Sequence, residues 1–348
     1  MNKFLPLLML LCATSLMAQY YPLPITEYDY LLPENNVSPI TMGTGGMNVT
    51  SAADAFSSYN NPALLADRDL TSFTTSFRLS NDEDRTFWEA MAISNALREK
   101  QFQYFAVNAK QVAFAYQPVA NVHLSEWNAT ADTSRYYDYK LDKVQMSLAA
   151  KDSKYTALKA GLSLKYLSGR LIYLKEHRVG NLLVRDAFID DKVKGFSTDL
   201  GFTYETGSFV MGACVYDLFS RLYWENYDSK PIQRRIGTGV EYQSDNLKLL
   251  FGLQSKIATN PETSYHMGME YDWTWSNNNS FTEEAATNQG LVLRLGMYSK
   301  DFYGVKNINY TLGTGYNYNL LRFDVSLSNR GMALKNSTYL FSLGIGFE

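Results

Sequence analysis

Residues 308–328 read INYTLGTGYNYNLLRFDVSLS, and this stretch decides the fold. Up to residue 318, large apolar side chains alternate with small or polar ones, and the alternation resumes at residue 321, after Asn319 and Leu320. A period of two residues is typical of a β-strand with one dry and one wet face. The stretch therefore predicts two antiparallel strands joined by a tight turn.

The same alternation extends outward over most of the chain. It recurs in residues 156–166, 291–297 and 339–347, and from residue 70 onward we count fifteen candidate strands. Two of these candidates, 110–118 and 120–128, are separated by a single residue. We expect about fourteen strands, because single-chain bacterial barrels use even numbers. Alternation alone fits a soluble β-sandwich as well as a transmembrane barrel.

Three further features favour the barrel. Lys3, an apolar run at residues 4–11 and the small residue Ala18 form a signal peptide over residues 1–18, whose apolar run is too short to span a bilayer. The candidate strands have the roughly ten residues that a tilted membrane strand needs. The last strand ends on the aromatic Phe347. We therefore predict an all-β chain: a transmembrane antiparallel β-barrel over residues 70–348, in the bacterial outer membrane.

Composition excludes several classes of function. Lys and Arg number 32 against 35 Asp and Glu; the leader removes one lysine and no acid, so the mature chain carries a net charge of −4. A nucleic-acid binder driven by net basic charge is excluded. Cleavage also removes Cys12, which leaves Cys214 with a packing role and no disulfide partner. The 26 tyrosines suit strands that are apolar along their length and wet at their ends.

We find no pattern that carries enzymatic chemistry. The three histidines, His123, His177 and His266, lie far apart and have no metal-ligand spacing. No serine stands in a nucleophile-elbow context. We therefore predict no enzyme activity, no metal and no cofactor. A hydrolase embedded in the barrel is the functional hypothesis that the sequence supports least.

Some local expectations follow from composition. Residues 175–195, 299–307 and 329–337 read as longer polar loops, and the first of these is the longest. Gly207 marks a tight turn, as Asn319 does. Residues 83–99 read as a short helix.

The segment before the first strand is different from the rest. Residues 38–66 read SPITMGTGGMNVTSAADAFSSYNNPALLA, which is rich in small residues and has no linker after it. A lumen lined by strand side chains leaves room only for a slim backbone, so we expect this segment inside the barrel, as part of a plug and lead-in over residues 19–69. Its defining residues are Gly43, Gly45, Gly46, Asp54, Asn61, Pro62 and Ala63.

This segment and the C-terminal strands resemble a known family. The run from Met42-Gly43 to Asn61-Pro62-Ala63-Leu64-Leu65, with the Gly- and aromatic-rich strands at residues 293–296, 312–316 and 341–347, looks like the FadL-type long-chain fatty-acid transporters and the PorV/PorQ proteins. The resemblance implies a 14-stranded barrel with an internal plug. It leans towards the PorV/PorQ branch.

The two branches imply different partners. The PorV/PorQ branch serves type IX protein secretion, which implies secretion-machinery proteins or secreted cargo as partners. The FadL branch implies a channel for hydrophobic small molecules such as fatty acids. Outer-membrane lipid is a partner in either case, and the resemblance transfers no ligand-binding residue.

The alternation also assigns a face to single charges. Arg294 and Asp324 fall on the polar, inward face of two strands that are separated by one intervening strand. If the turn at Asn319-Leu320 is tight, Asp324 falls opposite Gly315, and if the longer loop is centred near Tyr303, Arg294 falls close to Gly313. The residues between the two charges are then glycines, which add no side chain. Two strand spacings, roughly 10 Å, are within reach of an extended arginine. We therefore predict an ion pair between Arg294 and Asp324 in the lumen.

Overall fold

The chain forms a closed barrel of fourteen antiparallel strands. The computed structural model describes residues 35–51, 55–68, 70–80, 101–152, 157–257, 261–277, 287–302, 305–330 and 337–347. The strands are β1 (Thr71–Ser80), β2 (Gln101–Ala109), β3 (Val112–Asn128), β4 (Thr133–Lys151), β5 (Leu158–Val179), β6 (Leu182–Thr206), β7 (Phe209–Trp224), β8 (Arg235–Ser244), β9 (Leu247–Lys256), β10 (Thr263–Asn277), β11 (Thr287–Phe302), β12 (Val305–Tyr318), β13 (Leu321–Arg330) and β14 (Ser337–Phe347).

Each strand pairs with its sequence neighbours, and β1 closes the barrel against β14. Two-residue connections follow β5 and β11 at one end of the barrel and four strands, β2, β6, β8 and β12, at the other. At that end Lys110, Gly207 and Asn319 adopt positive φ angles, which favour glycine and asparagine in tight turns. Short turns predominate at the periplasmic end of an outer-membrane barrel, so we assign the end with four of them to the periplasm and the opposite end to the extracellular side.

The predicted count of about fourteen strands is confirmed, and the fifteenth candidate has a simple explanation. Candidates 110–118 and 120–128 are one strand, β3, whose register against β4 shifts between Pro118 and Ala120. Val119 is the extra residue of this bulge. Proline has no backbone N–H to donate, so strands accommodate it at bulges and edges. The sequence break at Pro118 is therefore a bulge and not a strand end.

The prediction of a long loop at residues 175–195 is wrong. β5 continues to Val179 and β6 begins at Leu182, joined by a turn at Gly180, whose φ is +63°. Strands also cover most of 299–307, because β11 ends at Phe302 and β12 begins at Val305. Part of 329–337 and the whole predicted helix at 83–99 lie outside the described residues. Among the residues that the structure does describe, no helix is long and apolar enough to cross a membrane.

An apolar belt surrounds the barrel. On β5 it comprises Leu158, Leu162, Leu164 and Tyr166, all exposed, while Lys159 and Lys165 on the opposite face are buried. The other strands carry further exposed members of the belt: Phe202, Leu293, Phe323, Leu343 and Ile345. A closed barrel with exposed apolar side chains around it and charges inside belongs in lipid. The protein is an outer-membrane β-barrel.

Five strands continue past the belt, and there the polarity of their faces reverses. Val144, Tyr166 and Phe196 form a cross-strand row at the upper border of the belt. Beyond this row the outward side chains become polar, as at Arg170, and the inward ones apolar, as at Leu171.

We call residues 117–142, 167–195 and 218–232 the extracellular extension. It has a hydrophobic core of its own, which meets Met47 and Val49 of the plug and Cys214 and Tyr216 of β7. The buried members of the core within the extension are Val119, Ala120, Tyr139, Leu141, Leu167, Leu171, Ile189, Val193 and Trp224.

Candidate functional site

The N-terminal segment lies inside the barrel. Helix α1 (Pro39–Gly43), helix α2 (Ser57–Asn60) and a 3₁₀ helix (Pro62–Asp67) are almost wholly buried. Ser38 Oγ accepts a hydrogen bond from the Thr41 N–H at 3.1 Å and so caps α1, and Asn61 Oδ1 does the same for the Ala63 N–H at 3.0 Å. Each cap is followed by a proline in the first turn, where no N–H is needed. These signals set the two helix starts; we call residues 35–68 the plug.

The plug rests on glycines of the wall. Eight consecutive strands, β5 to β12, each present an inward glycine against it: Gly161, Gly201, Gly212, Gly239, Gly252, Gly268, Gly296 and Gly313. A Cβ on any of them would overlap or press on plug atoms, for example on the backbone of Pro62 and Ala63 at Gly161. Five of these glycines admit the backbone of the plug, and the other three, Gly201, Gly239 and Gly252, admit side chains of Asn61, Val49 and Met47.

The predicted plug residues make specific contacts with this wall. Gly43 lies against Gly313 and Arg294. The Gly45 N–H donates to Thr311 Oγ1 at 3.2 Å, and Gly45 and Gly46 have φ angles of +93° and +81°, which glycine adopts without strain. The amide of Asn61 donates to the Val49 carbonyl within the plug and to the Phe202 carbonyl of the wall, and Pro62 and Ala63 lie against Gly161. Asp54 lies outside the described residues.

Arg294 connects two carboxylates across the lumen face. Its Nη1 lies 2.9 Å from Asp324 Oδ1 and its Nε 2.6 Å from Glu270 Oε2. Gly313 is the register partner of Arg294 and Gly315 that of Asp324, so the guanidinium passes over two residues without side chains. Arg294 is 1% exposed, so its charge is held by these carboxylates and not by bulk water.

The pair belongs to a longer chain of alternating charges, most of which our sequence reasoning missed. Lys248 bridges Glu270 at 2.7 Å and Asp272 at 3.3 Å, and Arg322 Nε lies 2.8 Å from Asp324 Oδ2. Lys248 and Glu270 are register partners on β9 and β10. Their opposite charges would have indicated the contact, had the register of that hairpin been known.

A second group of buried charges lies on the other side of the barrel. Lys165 Nζ lies 2.6 Å from Asp199 and 3.1 Å from Asp217, and all three are almost completely buried. Nearer the periplasmic end, Lys159 bridges Asp67 of the plug and Glu205 of the wall. The contact between Lys159 and Asp67 fastens the plug to the wall, whereas the Lys165 group joins β5, β6 and β7 to one another.

His266 also holds the plug. Its Nδ1 donates to the Gly45 carbonyl at 2.6 Å, and its Nε2 lies 2.7 Å from Ser264 Oγ. Because a carbonyl only accepts, Nδ1 carries a proton, and in the neutral imidazole Nε2 is then the acceptor toward the serine hydroxyl. Both side chains are buried, which argues against a serine nucleophile. Within the described ranges, no group of three or more His, Cys, Asp or Glu could hold a metal ion.

The barrel wall has a gap between β2 and β3. Among the described residues, pairing between these two strands runs from Phe105–Tyr116 to Ala109–Val112, although β2 begins at Gln101 and β3 continues to Asn128. The two strands therefore separate just above Tyr116, which pairs with Val144 of the border row. The bulge at Pro118 begins on the same stretch of β3. The gap accordingly lies at the outer border of the apolar belt.

A cavity of about 470 Å³ occupies this gap. Its lining includes Tyr116 and Asp142 on the outer face and Gln117 and Val119 on the buried face, so it crosses the wall. Tyr116 Oη donates to Asp142 Oδ1 at 2.8 Å, and its ring stacks on Phe102. Gln117 is buried, and its Oε1 accepts no hydrogen bond from the described residues. The remaining lining residues mix apolar and polar groups: Asn35, Arg78, Gln103, Pro118, Ala120, Asn121, Val122 and Lys140.

Comparisons with known proteins support the fold. No family model and no curated protein matches the chain. Among solved structures, the Ralstonia pickettii toluene transporter TbuX is similar at a TM-score of 0.55 and 12% identity, over 89% of this chain and 97% of that one. The P. putida toluene transporter TodX is similar at a TM-score of 0.55 and 10% identity, over 88% and 98% of the two chains.

At these identities the likeness shows the fold alone. It supports the resemblance to FadL-type barrels at that level, and these neighbours are transporters and not enzymes. None of the comparisons supports the PorV/PorQ branch or a part in type IX secretion.

Proposed function

We propose that this protein is an outer-membrane channel for hydrophobic or amphipathic small molecules, which enter or leave through the gap between β2 and β3. The gap carries the proposal. A cavity that reaches from the outer face to the lumen at the border of the belt gives such a molecule a lateral path, and its apolar side chains can receive a hydrocarbon body.

The chemistry of the lining supports this class of solute. Phe102, Pro118, Val119 and Val122 provide apolar surface, and the Oε1 of Gln117 provides an acceptor for a hydroxyl or amide donor. The similar toluene transporters handle a hydrophobic small molecule with the same barrel architecture. The interaction hypothesis, a part in type IX secretion, has no observation at this cavity in its favour.

The test is a binding assay on the full-length protein in lipid nanodiscs. Radiolabelled toluene and decanoate are the probes, measured by equilibrium dialysis against empty nanodiscs. Val122→Trp should fill the cavity and weaken binding of at least one probe tenfold or more. Val240→Trp is the matched control, because Val240 is exposed in the belt on β8 and the same bulk there faces lipid.

Two results would contradict the proposal. One is the absence of saturable binding of either probe to the wild-type protein. The other is equal weakening by Val122→Trp and Val240→Trp, which would show that the cavity is not the binding site. Co-purification of the detergent-solubilised protein with secretion-machinery proteins but no lipid would favour the interaction hypothesis instead.

A further inference from the structure

The extracellular extension contains a sheet of strands β3 to β6, and its tip is the ribbon formed by β5 and β6. One edge of this ribbon, along β6, is open. β4 pairs with β5 as far as His177, near the tip, so that edge of the ribbon is covered. On the other side, β7 pairs with β6 only as far as Val193. Beyond it, the Glu225 N–H donates to the Lys192 carbonyl and Asn226 binds the carboxylate of Asp191. Within the described part of the chain, residues 182–190 have no strand beside them on that edge.

The direction of the backbone groups on this edge can be worked out. The carbonyl of Lys192 points away from β5, because it accepts from Glu225. In an antiparallel pair, residues two apart point their N–H and C=O groups to the same side. No register shift occurs between Lys192 and Phe188. Phe188 and Asp190 therefore present their N–H and C=O groups outward. Asp186 is the extra residue of a bulge, since Ala187 pairs with Lys175 and Arg185 with Glu176, so a strand added along residues 182–190 has to accommodate this bulge.

The side chains around the edge are unusual for a surface in water. Val179, Leu182, Leu183, Val184 and Phe188 are between 42% and 73% exposed. They lie above the border row at Tyr166 and Phe196, so lipid does not cover them. Val179, Leu182 and Val184 lie on one face of the sheet, and Leu183 and Phe188 lie on the other. Exposed apolar side chains on both sides of an open edge indicate an interaction site.

The charged residues near the edge indicate which charge a binding partner carries. Asp186 contacts Lys175 and His177 within the ribbon. The guanidinium of Arg185 lies 5.8 Å from the centre of the Phe188 ring, and it has no carboxylate partner among the described residues. An acidic side chain on an added strand would meet this cation.

We propose that the edge of β6 at residues 182–190 is a docking site for an extended segment of another extracellular protein, which adds to the sheet as a further strand. The segment is apolar at alternate positions and carries an acidic residue that faces Arg185. Main-chain hydrogen bonds give such strand addition its affinity, and side chains give its specificity. The site is independent of the gap between β2 and β3.

A designed peptide tests the proposal. The probe is a fluorescent nine-residue peptide of alternating valine and threonine with one central glutamate, added to the full-length protein in nanodiscs and measured by anisotropy. Saturable binding is expected, together with slower hydrogen exchange at the amides of Phe188 and Asp190. The same peptide with alternate backbone nitrogens methylated should not bind, because it cannot pair with a strand edge.

The matched variants are Phe188→Pro and Phe188→Ala. Both remove the ring, but only proline removes the outward N–H, and edge strands tolerate proline there. We expect Phe188→Pro to bind at least tenfold more weakly than Phe188→Ala, and Arg185→Glu to prefer a peptide with lysine in place of glutamate. Absence of saturable binding, equal binding by the two Phe188 variants, or equal binding of the methylated peptide would overturn the proposal. Heat-modifiable mobility on a denaturing gel verifies that each variant is folded.

Discussion

Strands β5 and β6 each have a half in the apolar belt and a half in the extracellular extension. The outward face is apolar in the first half and polar in the second, and the inward face shows the reverse. In the belt, Leu164 and Phe202 are exposed while Lys165 is buried; in the extracellular extension, Arg170 faces out and Leu171 is buried. The backbone and the register continue without a break across the border row of Tyr166 and Phe196. The difference shows that the solvent around the barrel, lipid below the border and water above it, decides which face of a strand is apolar.

The two halves are consequently stabilised by different interactions. In the extension, apolar side chains leave water for a common core, as in a soluble protein. In the belt, the outward side chains contact hydrocarbon, and the interior is held by hydrogen bonds, buried ion pairs and the close approach of the plug to the glycines. Comparable substitutions in the two halves should therefore change the stability of the protein by unequal amounts.

The largest effect is expected at the buried cations. Lys165→Met would remove the cation that contacts both Asp199 and Asp217, and loss of one partner from a buried pair costs about 3–5 kcal/mol. Leu171→Met, six residues along on the same inward face, preserves apolar character and should cost less than about 1.5 kcal/mol. Urea unfolding in lipid vesicles measures both. Equal costs would mean that water reaches the carboxylates near Lys165 and that the lumen is not dry.

A smaller effect is expected on the outer surface of β6. Phe202 and Phe188 are both exposed phenylalanines, one in the belt and one above it. Phe202→Arg places a charge in hydrocarbon and should cost about 2–4 kcal/mol. Phe188→Arg meets water and should change stability by no more than about 0.5 kcal/mol. The fraction of heat-modifiable, folded protein in vesicles measures the difference. Equal tolerance would place the upper border of the belt below Phe202.

The reversal of polarity also explains where sequence reasoning succeeded. In residues 308–328 the apolar face meets lipid, so alternation identified β12 and β13 and the turn at Asn319. In residues 175–195 the outward positions are charged, as at Asp190 and Lys192, and a stretch of continuous strand was interpreted as a polar loop. The period of two is present in both stretches, but only one of them fits a membrane strand.

Other features depend on pairing that no local pattern contains. Glu270 meets Arg294 only through the register of β10 against β11. The gap depends on where β2 and β3 stop pairing, and Pro118 indicated only a break in the strand. The glycines that receive the plug are scattered over eight strands, and their common level becomes visible only when the barrel is closed.

The last prediction compares the same conservative change inside and outside the barrel. Arg294 uses two nitrogens for two carboxylates, Nε for Glu270 and Nη1 for Asp324. Arg294→Lys keeps the charge, but one nitrogen must serve both acceptors. We expect a loss of about 2 kcal/mol, the range of one hydrogen bond to a charged group.

Arg170 holds Asp190 on the outer face of the extension through Nε and Nη2, at 2.7 and 2.6 Å. Despite this bidentate geometry, Arg170→Lys should leave stability unchanged, because water screens an exposed pair. Urea unfolding at 0.1 M and 1 M salt separates the two cases: the loss at Arg294 should persist at high salt, since ions do not screen a buried pair. If 1 M salt abolishes that loss, the Arg294 network is open to solvent, and the contrast between the interiors of the two halves is one of side-chain type alone.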